Sequence, residues 1–455
     1  MAAEKEIFTA NPFTLPMFSR AKFDYMAQFD VERWSPTVTA PHTFATVTVP
    51  LPRITAIAIV HAFQESTCRR SGTVTDADSI ELRALERQIE DLFDRIGEVE
   101  GSAGQGAARC ADGGSFFVRL GPRSPKDAPL VVIDKASESI TLGAMLKAAE
   151  DLRVVAGCTS SADDVLEVFE TASGYLLQVR SAREAISLLT RSSRVMQDLS
   201  HALDHDTSKP QDDDDSSSEN NDDDKDGDKD GNDFRQGGSG HWNISLVVRR
   251  WVPGVQVRRE FRGFVASGRL VALSQYDDRI SCVEVCEHAQ SMAEACHKTF
   301  AAAQGAIASL KHAALVVDFA VTRGTPPIDP TAEETSSAAS SACWEAHIIE
   351  LNPFGPMTGS SLFDWNYERR LLQGGRDLFG DLVDHETRFP PGSSPPQRGV
   401  EEVEVEGSQV RYRTETGASS TTLEQIEAMY PDFWRIWSTA GAAAVAIEEG
   451  IPADE

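Results

Sequence analysis

One short stretch of the chain places two oxygen-bearing side chains where they could bind a metal ion. In "HIIELNPF", Glu350 and Asn352 lie two residues apart at the end of a predicted strand. Side chains alternate between the two faces of a strand, so Glu350 and Asn352 are expected on the same face. Pro353 ends the strand because it has no N–H for a sheet hydrogen bond. The spacing therefore predicts a carboxylate and a carboxamide directed at one place.

A second stretch, "ALVVDFAV", carries Asp318 in the middle of an apolar run. A carboxylate in such surroundings is costly to bury unless a cation or a hydrogen-bond donor compensates it. The two stretches flank residues 325–342, a polar segment with no pattern of its own, so they are predicted to pair as antiparallel neighbours. That pairing would bring Asp318 beside Glu350. Oxygen ligands on adjacent strands suit a magnesium ion that carries a nucleoside triphosphate.

Cationic side chains near other strand ends could supply the positive half of such a site. They are Arg119 in "SFFVRL", Arg249 and Arg250 in "VVRRW", and Arg262 in "REFRGF". Each has an ordinary alternative, because arginines at strand edges are often solvated or paired with glutamate. Trp251, next to Arg250, could cover an adenine ring or belong to the core.

The elements that must position these residues are strands and helices in mixed order. Periodicity predicts helices over 78–98 and 182–204 and within 293–310. Short strands are expected in 29–52, and "ASGRL" indicates a hairpin between two of the later strands. In the C-terminal part, the patterns indicate a hairpin within 401–416 and a short helix within 422–437.

Composition excludes several classes of protein. The chain has 455 residues and a formal net charge of −28, which argues against binding to a nucleic-acid phosphate backbone. No apolar run approaches the roughly 20 residues that span a bilayer. The N-terminus lacks the basic-then-apolar order of a signal peptide. These features indicate a cytosolic or nuclear protein without a membrane partner, and of the two we expect a cytoplasmic location.

Two further motifs have ordinary explanations. Residues 212–233 carry twelve acidic and two basic residues, and their match to an EF-hand loop has neither flanking helices nor a final glutamate. Solvated disorder is the favoured interpretation. The seven cysteines form no disulfide pattern, and "CVEVCEHAQSMAEACH" has no standard zinc spacing, so reduced cysteines buried on a helix are predicted.

Several sequence blocks together resemble one known family, the cell division cycle protein 123 family. In order they are "RWSPTVTAPHTFATVTVPLP", "SFFVRLGPRSPKDA", "AREAISLLTRSSRVMQDL", "VVRRWVPGVQVRREFRGFVASGRLVALSQYD", "VVDFAV" and "IIELNPFGPMTGSSLFDW". The resemblance implies an α+β, ATP-grasp-like fold, with two subdomains whose antiparallel sheets enclose a nucleotide cleft. The predicted division is an N-terminal subdomain at 1–205, an acidic insert at 206–240, a C-terminal subdomain with the metal site at 241–380, and an extension at 381–455.

The same resemblance implies a function and a set of site residues. Family members bind ATP and Mg²⁺ and act as assembly factors for translation initiation factor 2, through its gamma subunit. By matching position, the metal ligands would be Asp318, Glu350 and Asn352. Besides Glu350 and Asn352, the residues implied for ATP are Arg119, Gly121, Ser124, Lys126, Arg249, Arg250, Trp251, Glu260, Arg262 and Gln275.

Three sequence blocks depart from the family pattern. Where the family has "KLNW", this chain has "RLGP", so Arg119 replaces a phosphate-binding lysine and Pro122 a tryptophan. Arg250 stands at a second family lysine, and Tyr276 replaces an arginine in the "SQRD" block. Arginine still neutralises phosphate but differs from lysine in reach and hydration. ATP binding is therefore expected to survive with altered geometry.

Three functions remain open at this stage. The first is the nucleotide-binding assembly chaperone. The second is an ATP-dependent carboxylate–amine ligase, the commonest chemistry on ATP-grasp folds, although the glycine-rich lid of such ligases is not found and "GPRSPKDA" is stiffened by proline. The third is a scaffold that binds no nucleotide. No catalytic residue is assigned, and whether the protein is an enzyme is left undecided.

Overall fold

A computed structural model describes most of the chain outside its two ends and several internal gaps. The described residues are 20–39, 41–66, 72–102, 114–132, 135–152, 162–207, 242–252, 254–324, 343–375, 378, 399–414 and 422–448. The acidic insert at 206–240, including its EF-hand-like match, lies outside them apart from its first two residues.

The described residues form two sheets surrounded by helices. The helices are α1 (Arg20–Ala27), α2 (Val31–Trp34), α3 (Arg53–Ser66), α4 (Asp76–Ser102), α5 (Lys135–Leu152), α6 (Ala162–Leu176), α7 (Ala182–Leu189), α8 (Ser193–Thr207), α9 (Val283–Ser309), α10 (Arg369–Leu372), α11 (Leu423–Met429) and α12 (Pro431–Glu448). The strands are β1 (Thr46–Pro50), β2 (Phe116–Leu120), β3 (Ser245–Arg250), β4 (Glu260–Ala266), β5 (Arg269–Gln275), β6 (Ala314–Arg323), β7 (Trp344–Pro353), β8 (Val400–Val405) and β9 (Ser408–Arg413).

The small sheet has the strand order β1-β3-β2 and is antiparallel. One of its faces packs against α4, where the rings of Phe93 and Phe116 stack with centroids 3.9 Å apart. Its other face carries Arg119 and Arg249, because successive residues of a strand alternate between faces and Val118 and Val248 lie on the face toward α4. The small sheet therefore presents two cations on the side away from its own helical layer.

The large sheet has the order β7-β6-β4-β5-β9-β8 and is antiparallel except for the parallel pair β5–β9. Alternation divides its residues cleanly. Phe261, Val317 and Phe319 face the core that includes α9, whereas Glu260, Arg262 and Asp318 lie on the opposite face. The polar residues of β4 and β6 are therefore grouped on one side of the large sheet.

These sheets confirm the predicted α+β class, with antiparallel sheets in two parts of the chain. The pairing also shows how the segments are joined. Strand β3, which follows the acidic insert, lies in the small sheet with β1 and β2, and the C-terminal hairpin β8–β9 extends the large sheet. The boundaries at 205, 240 and 380 stay a prediction.

Most of the local predictions are confirmed. The helix predicted over 78–98 is α4, the "ASGRL" hairpin joins β4 to β5 through Ser267 and Gly268 at positive φ, and 401–416 contains most of β8–β9. The helix predicted within 293–310 is the C-terminal part of the longer α9. Cys282, Cys286 and Cys296 are free thiols at the start of α9 or on it, and Cys282 and Cys296 are buried.

Three local predictions were wrong in detail. The helix predicted over 182–204 is two helices, because Asp127 accepts hydrogen bonds from the Ser193 and Arg194 N–H groups and so caps a new helix there. The helix expected within 422–437 is also interrupted, before Pro431, and its second part continues to Glu448. In the segment 29–52, residues Val31–Trp34 form a helix instead of a strand, with Val31 and Trp34 both fully buried.

Candidate functional site

The predicted pairing of the two acidic strands is confirmed. Strands β6 and β7 are antiparallel neighbours, and Asp318 is the direct register partner of Glu350. Val316 pairs with Asn352 in the same ladder. Since directly paired residues share a face, Asp318, Glu350 and Asn352 lie on the same face of the large sheet. The three oxygen-bearing side chains therefore lie on one face of two neighbouring strands, as the sequence predicted.

A β-bulge lies immediately before Glu350. The register shifts between Asp318 and Phe319, so that Phe319 pairs with Ile348 and Ile349 is the extra residue on β7. The extra residue restores Ile348 to the core face while Glu350 stays on the polar face. The bulge thus allows one strand to serve both the hydrophobic core and the site.

Arg262 and Asn352 hold the carboxylate of Asp318. The Nε and Nη2 atoms of Arg262 donate to the two Asp318 oxygens, each over 2.8 Å, and Asn352 Nδ2 donates to Oδ2 over 2.9 Å. Arg262 and Asp318 are both buried. Burial lowers the pKa of Arg262, but the attraction of Asp318 outweighs it and raises this pKa above its ordinary value.

Glu350 is paired with Arg119, which reaches it from the small sheet. Arg119 Nη1 lies 2.6 Å from Glu350 Oε1. Burial raises the pKa of Glu350, but Arg119 and Lys126 outweigh this effect and hold the pKa below its ordinary value. Glu350 is therefore ionised at neutral pH.

Arg249 also reaches β7 from the small sheet. Its Nη1 donates to the Ile349 carbonyl over 2.5 Å, and its Nε donates to Thr46 Oγ1 over 3.2 Å. Its Nη2 is buried without a hydrogen-bond partner among the described residues. Burial lowers the pKa of Arg249 to about 9, with neighbouring Arg119 acting in the same direction. The group has a spare donor and gains from an anion placed beside it.

A cavity of about 610 Å³ opens beside these residues. Its lining includes Lys126, Arg249, Arg250, Trp251, Glu260 and Arg262 from the predicted set, together with Tyr276 and Ile349. Apolar groups of Phe117, Val252 and Val257 cover another part of the wall. This volume lies within the 300–1,000 Å³ typical of small-molecule pockets.

Tyr276 organises two of the cations in the cavity. Lys126 Nζ lies 5.1 Å and Arg262 Cζ 4.6 Å from the centre of its ring. Tyr276 and the carboxylates of Glu260, Glu350 and Asp318 together raise the pKa of Lys126. From the sequence, Tyr276 was expected only to remove a family arginine, and its contact with the two cations was not foreseen.

Glu260 is another carboxylate on this face and is buried. Burial raises its pKa to about 7, although Lys126 opposes that rise. Glu260 therefore changes charge near neutral pH.

Four of the predicted residues lie elsewhere or are otherwise engaged. Gln275 is fully buried, and its side chain binds the Ile280 carbonyl and the Arg413 N–H. Gly121 packs against the carboxylate of Glu32, and Ser124 is buried in the same loop. Arg119 is not among the described residues that line the cavity, and neither are the predicted metal ligands Asp318, Glu350 and Asn352. A direct contact of Arg119, Gly121, Ser124 and Gln275 with ATP stays a prediction.

Arg249 and Arg250 are adjacent but point in different directions. Arg249 shares a face with Arg119, whereas the guanidinium of Arg250 lies over the Phe116 ring at 5.4 Å, on the face toward α4. Arg250 nevertheless reaches the rim of the cavity from the end of β3.

Two kinds of feature are absent from the described residues. No helix there combines the length and apolar character needed to cross a bilayer. Nor do His, Cys, Asp and Glu side chains there form a group of three or more placed to hold a metal ion. The predicted magnesium set differs from such a group, because it consists of two carboxylates and one carboxamide.

Comparison with known proteins identifies one family. The sequence profile of the D123 family matches residues 169–417. The structure of Cdc123 from Schizosaccharomyces pombe is similar at 17% identity and a TM-score of 0.41, covering 76% of this chain and 91% of that one. A C-terminally truncated form of the same protein is similar at 18% identity and a TM-score of 0.42, with the same coverage. No curated protein matches the chain.

Proposed function

The chain belongs to the D123 family, as its sequence blocks predicted, and on that premise we propose that it binds ATP with Mg²⁺ and assembles translation initiation factor 2. The client contact would be the gamma subunit of that factor. One observation carries the nucleotide part of the proposal. Asp318, Glu350 and Asn352 share one face of the large sheet, beside a cavity lined by cations.

The three oxygen-bearing residues fit a magnesium ion. Asp318 and Glu350 provide carboxylates on adjacent strands, and Asn352 donates through Nδ2 to Asp318, which leaves its carbonyl oxygen available. Hard oxygen ligands of this kind, with positions left for water and phosphate, are those that Mg²⁺ prefers. When bound, the ion would neutralise part of the charge on a triphosphate. In the protein itself, Arg262 and Arg119 compensate the same two carboxylates.

The cations and the apolar wall fit a nucleotide. Arg249, Lys126 and Arg262 line the cavity, and Arg249 Nη2 has no hydrogen-bond partner among the described residues. A buried guanidinium donor without a partner is costly, and a phosphate oxygen would satisfy it. Trp251 and Val257 provide an apolar surface for a base in the same cavity.

The chaperone part of the proposal rests on the family resemblance and on charge. A net charge of −28 suits a basic surface on a client protein and opposes binding to nucleic acid. Ligand bound between the sheets would stabilise the client-binding form by an amount set by the ratio of ligand concentration to its dissociation constant. We place this activity in the cytoplasm.

Thermal unfolding tests the nucleotide part. We expect ATP together with Mg²⁺ to raise the melting temperature well above the value obtained with either alone. Glu350→Gln should lose the additional rise that Mg²⁺ gives, whereas Glu345→Gln, an exposed carboxylate on the same strand, should keep it. Equal melting temperatures with and without ATP and Mg²⁺ would favour the scaffold that binds no nucleotide.

A pulldown tests the client. Wild-type protein with ATP and Mg²⁺ should retain the gamma subunit of translation initiation factor 2, and Asp318→Ala should retain less of it. A wild-type pulldown from which this subunit is absent would reject the client assignment. Release of ADP on addition of amino acids or peptides would instead favour the ligase.

A further inference from the structure

Two arginines of the small sheet make adjacent contacts with the bulge of β7. Arg249 Nη1 binds the carbonyl of Ile349, and Arg119 Nη1 binds the carboxylate of the next residue, Glu350. The N-terminal segment adds a third contact, since Thr43 Oγ1 donates to the Ile348 carbonyl over 2.7 Å. The bulge beside Glu350 is thus held by the small sheet and by the segment that precedes β1.

Almost all hydrogen-bond donors of the Arg119 guanidinium are bound by other groups of the protein. Its Nε donates to the Leu120 carbonyl over 2.9 Å, and its Nη2 donates to the carbonyls of Gly121 and Pro122 over 3.3 and 3.0 Å. The remaining nitrogen, Nη1, is the one beside Glu350. The side chain is only 3% exposed. Arg119 has little capacity left for a ligand.

Arg249 differs from Arg119 in its capacity to bind a ligand. It lines the cavity and keeps an Nη2 without a partner among the described residues, whereas Arg119 spends donors from all three nitrogens. The Arg249 guanidinium also lies over the Trp34 ring, 5.3 Å from its centre, but a phosphate oxygen could bind Nη2 without breaking a hydrogen bond. A phosphate oxygen that bound Arg119 would have to displace Glu350 or a backbone carbonyl.

We infer that Arg119 is a positioning residue, which fixes the carboxylate of Glu350 for the metal, and that Arg249 takes the phosphate contact. The inference rests on the proposed function. It explains why an arginine suits this position. Only a planar fork of donors can bind three successive carbonyls and a carboxylate together, whereas a lysine ammonium has three protons on a single atom.

The test is a calorimetric titration of ATP into the full chain, with and without Mg²⁺. Wild type should bind ATP without metal and gain at least tenfold in affinity with Mg²⁺. Arg119→Gln should keep the metal-free affinity within about twofold and lose most of the Mg²⁺ gain, whereas Arg249→Gln should lower the metal-free affinity about tenfold or more. Glu350→Gln should lose the same gain, and the double variant Arg119→Gln/Glu350→Gln should lose no more.

Arg119→Lys keeps the charge but not the fork, and it provides a second variant if Arg119→Gln does not fold. Loss of the Mg²⁺ gain with an intact metal-free affinity would support the positioning role. The positioning role would be overturned if Arg119→Lys kept the full Mg²⁺ gain in affinity. It would also be overturned if Arg119→Gln lost as much metal-free ATP affinity as Arg249→Gln. Wild-type protein that binds no ATP would instead reject the proposed function, so the two failures are distinguishable.

Discussion

The two sheets contribute opposite charges to the candidate site. The small sheet presents Arg119 and Arg249, whereas the large sheet presents Glu260, Asp318 and Glu350, with Arg262 paired to one of them. Neither group would be stable buried by itself, because each would leave charges uncompensated. The site therefore exists only where the two sheets meet.

The two carboxylates on β6 and β7 are held in different ways. Asp318 is bound within its own sheet by Arg262, and both side chains are less than 10% exposed. Glu350 is bound across the cleft by Arg119 and is 24% exposed. One carboxylate is thus part of the large sheet's structure, and the other depends on how the small sheet is placed.

The largest effect is expected from breaking the pair within the large sheet. Asp318→Ala leaves Arg262 buried without its carboxylate, which should cost about 3–5 kcal/mol of unfolding free energy. Glu350→Ala should cost clearly less, because Glu350 itself is 24% exposed and because Arg119 would keep its three backbone carbonyl acceptors. Urea unfolding of both variants measures the difference. Equal losses would remove the distinction between the two carboxylates.

The pH dependence of stability tests the burial of Glu260. Its pKa rises from 4.5 to about 7 on folding, so the folded state holds the proton more tightly between these values. The stabilisation from Glu260 is therefore fully present below pH 4.5 and is lost as the pH rises to 7, and the free energy of unfolding falls by roughly 3 kcal/mol over this range.

Glu260→Gln should therefore gain stability relative to wild type as the pH is raised from 5 to 8. Urea unfolding at several pH values gives the difference between the two proteins. Parallel curves for Glu260→Gln and wild type over this range would contradict the prediction.

The two adjacent arginines of β3 provide a matched pair of variants. Arg249→Gln removes the spare donor at the cavity and should weaken ATP binding by about 10- to 100-fold, the value of a hydrogen bond to a charged group. Arg250→Gln should have a smaller effect, because this side chain lies over Phe116 on the other face. Titration of each variant with ATP gives the comparison. A larger loss for Arg250→Gln would reverse the assigned roles.

The smallest effect is expected at Tyr276, where the large sheet holds cations by an aromatic ring. Tyr276→Leu removes the contacts with Lys126 and Arg262. It should weaken the free energy of ATP binding or the free energy of unfolding by about 0.5–2 kcal/mol. Tyr276→Phe keeps the ring and serves as the control. A loss in Tyr276→Phe as large as in Tyr276→Leu would assign the effect to the hydroxyl instead.

Sequence patterns predicted the pairing of the two acidic strands better than the contacts of the cations. Asp318 and Glu350 lie on strands that are close in sequence, so alternation and a short connection were enough to place them side by side. Arg119 and Arg249 bind residues of the other sheet, and these partners follow from packing between segments 100 or more residues apart. The hydrogen bonds from Arg119 to three backbone carbonyls have no signature in residue type or spacing.

The same limit applies to the fold. Local periodicity predicted α4, the β4–β5 hairpin and the β8–β9 hairpin. It did not predict that β3 joins β1 and β2, or that β9 lies parallel to β5, since both pairings depend on distant contacts. The break between α7 and α8 was also missed, because the capping carboxylate of Asp127 lies 66 residues before Ser193.

The most direct test of the account is a pair of calorimetric titrations with ATP, in the presence and absence of Mg²⁺, on wild type and on Asp318→Asn. We expect wild type to bind ATP at least tenfold more tightly with Mg²⁺, and Asp318→Asn to bind it with the same affinity in both conditions. A wild-type affinity that does not change with Mg²⁺, or an unchanged metal response in Asp318→Asn, would contradict the assignment of Asp318, Glu350 and Asn352 to one divalent cation.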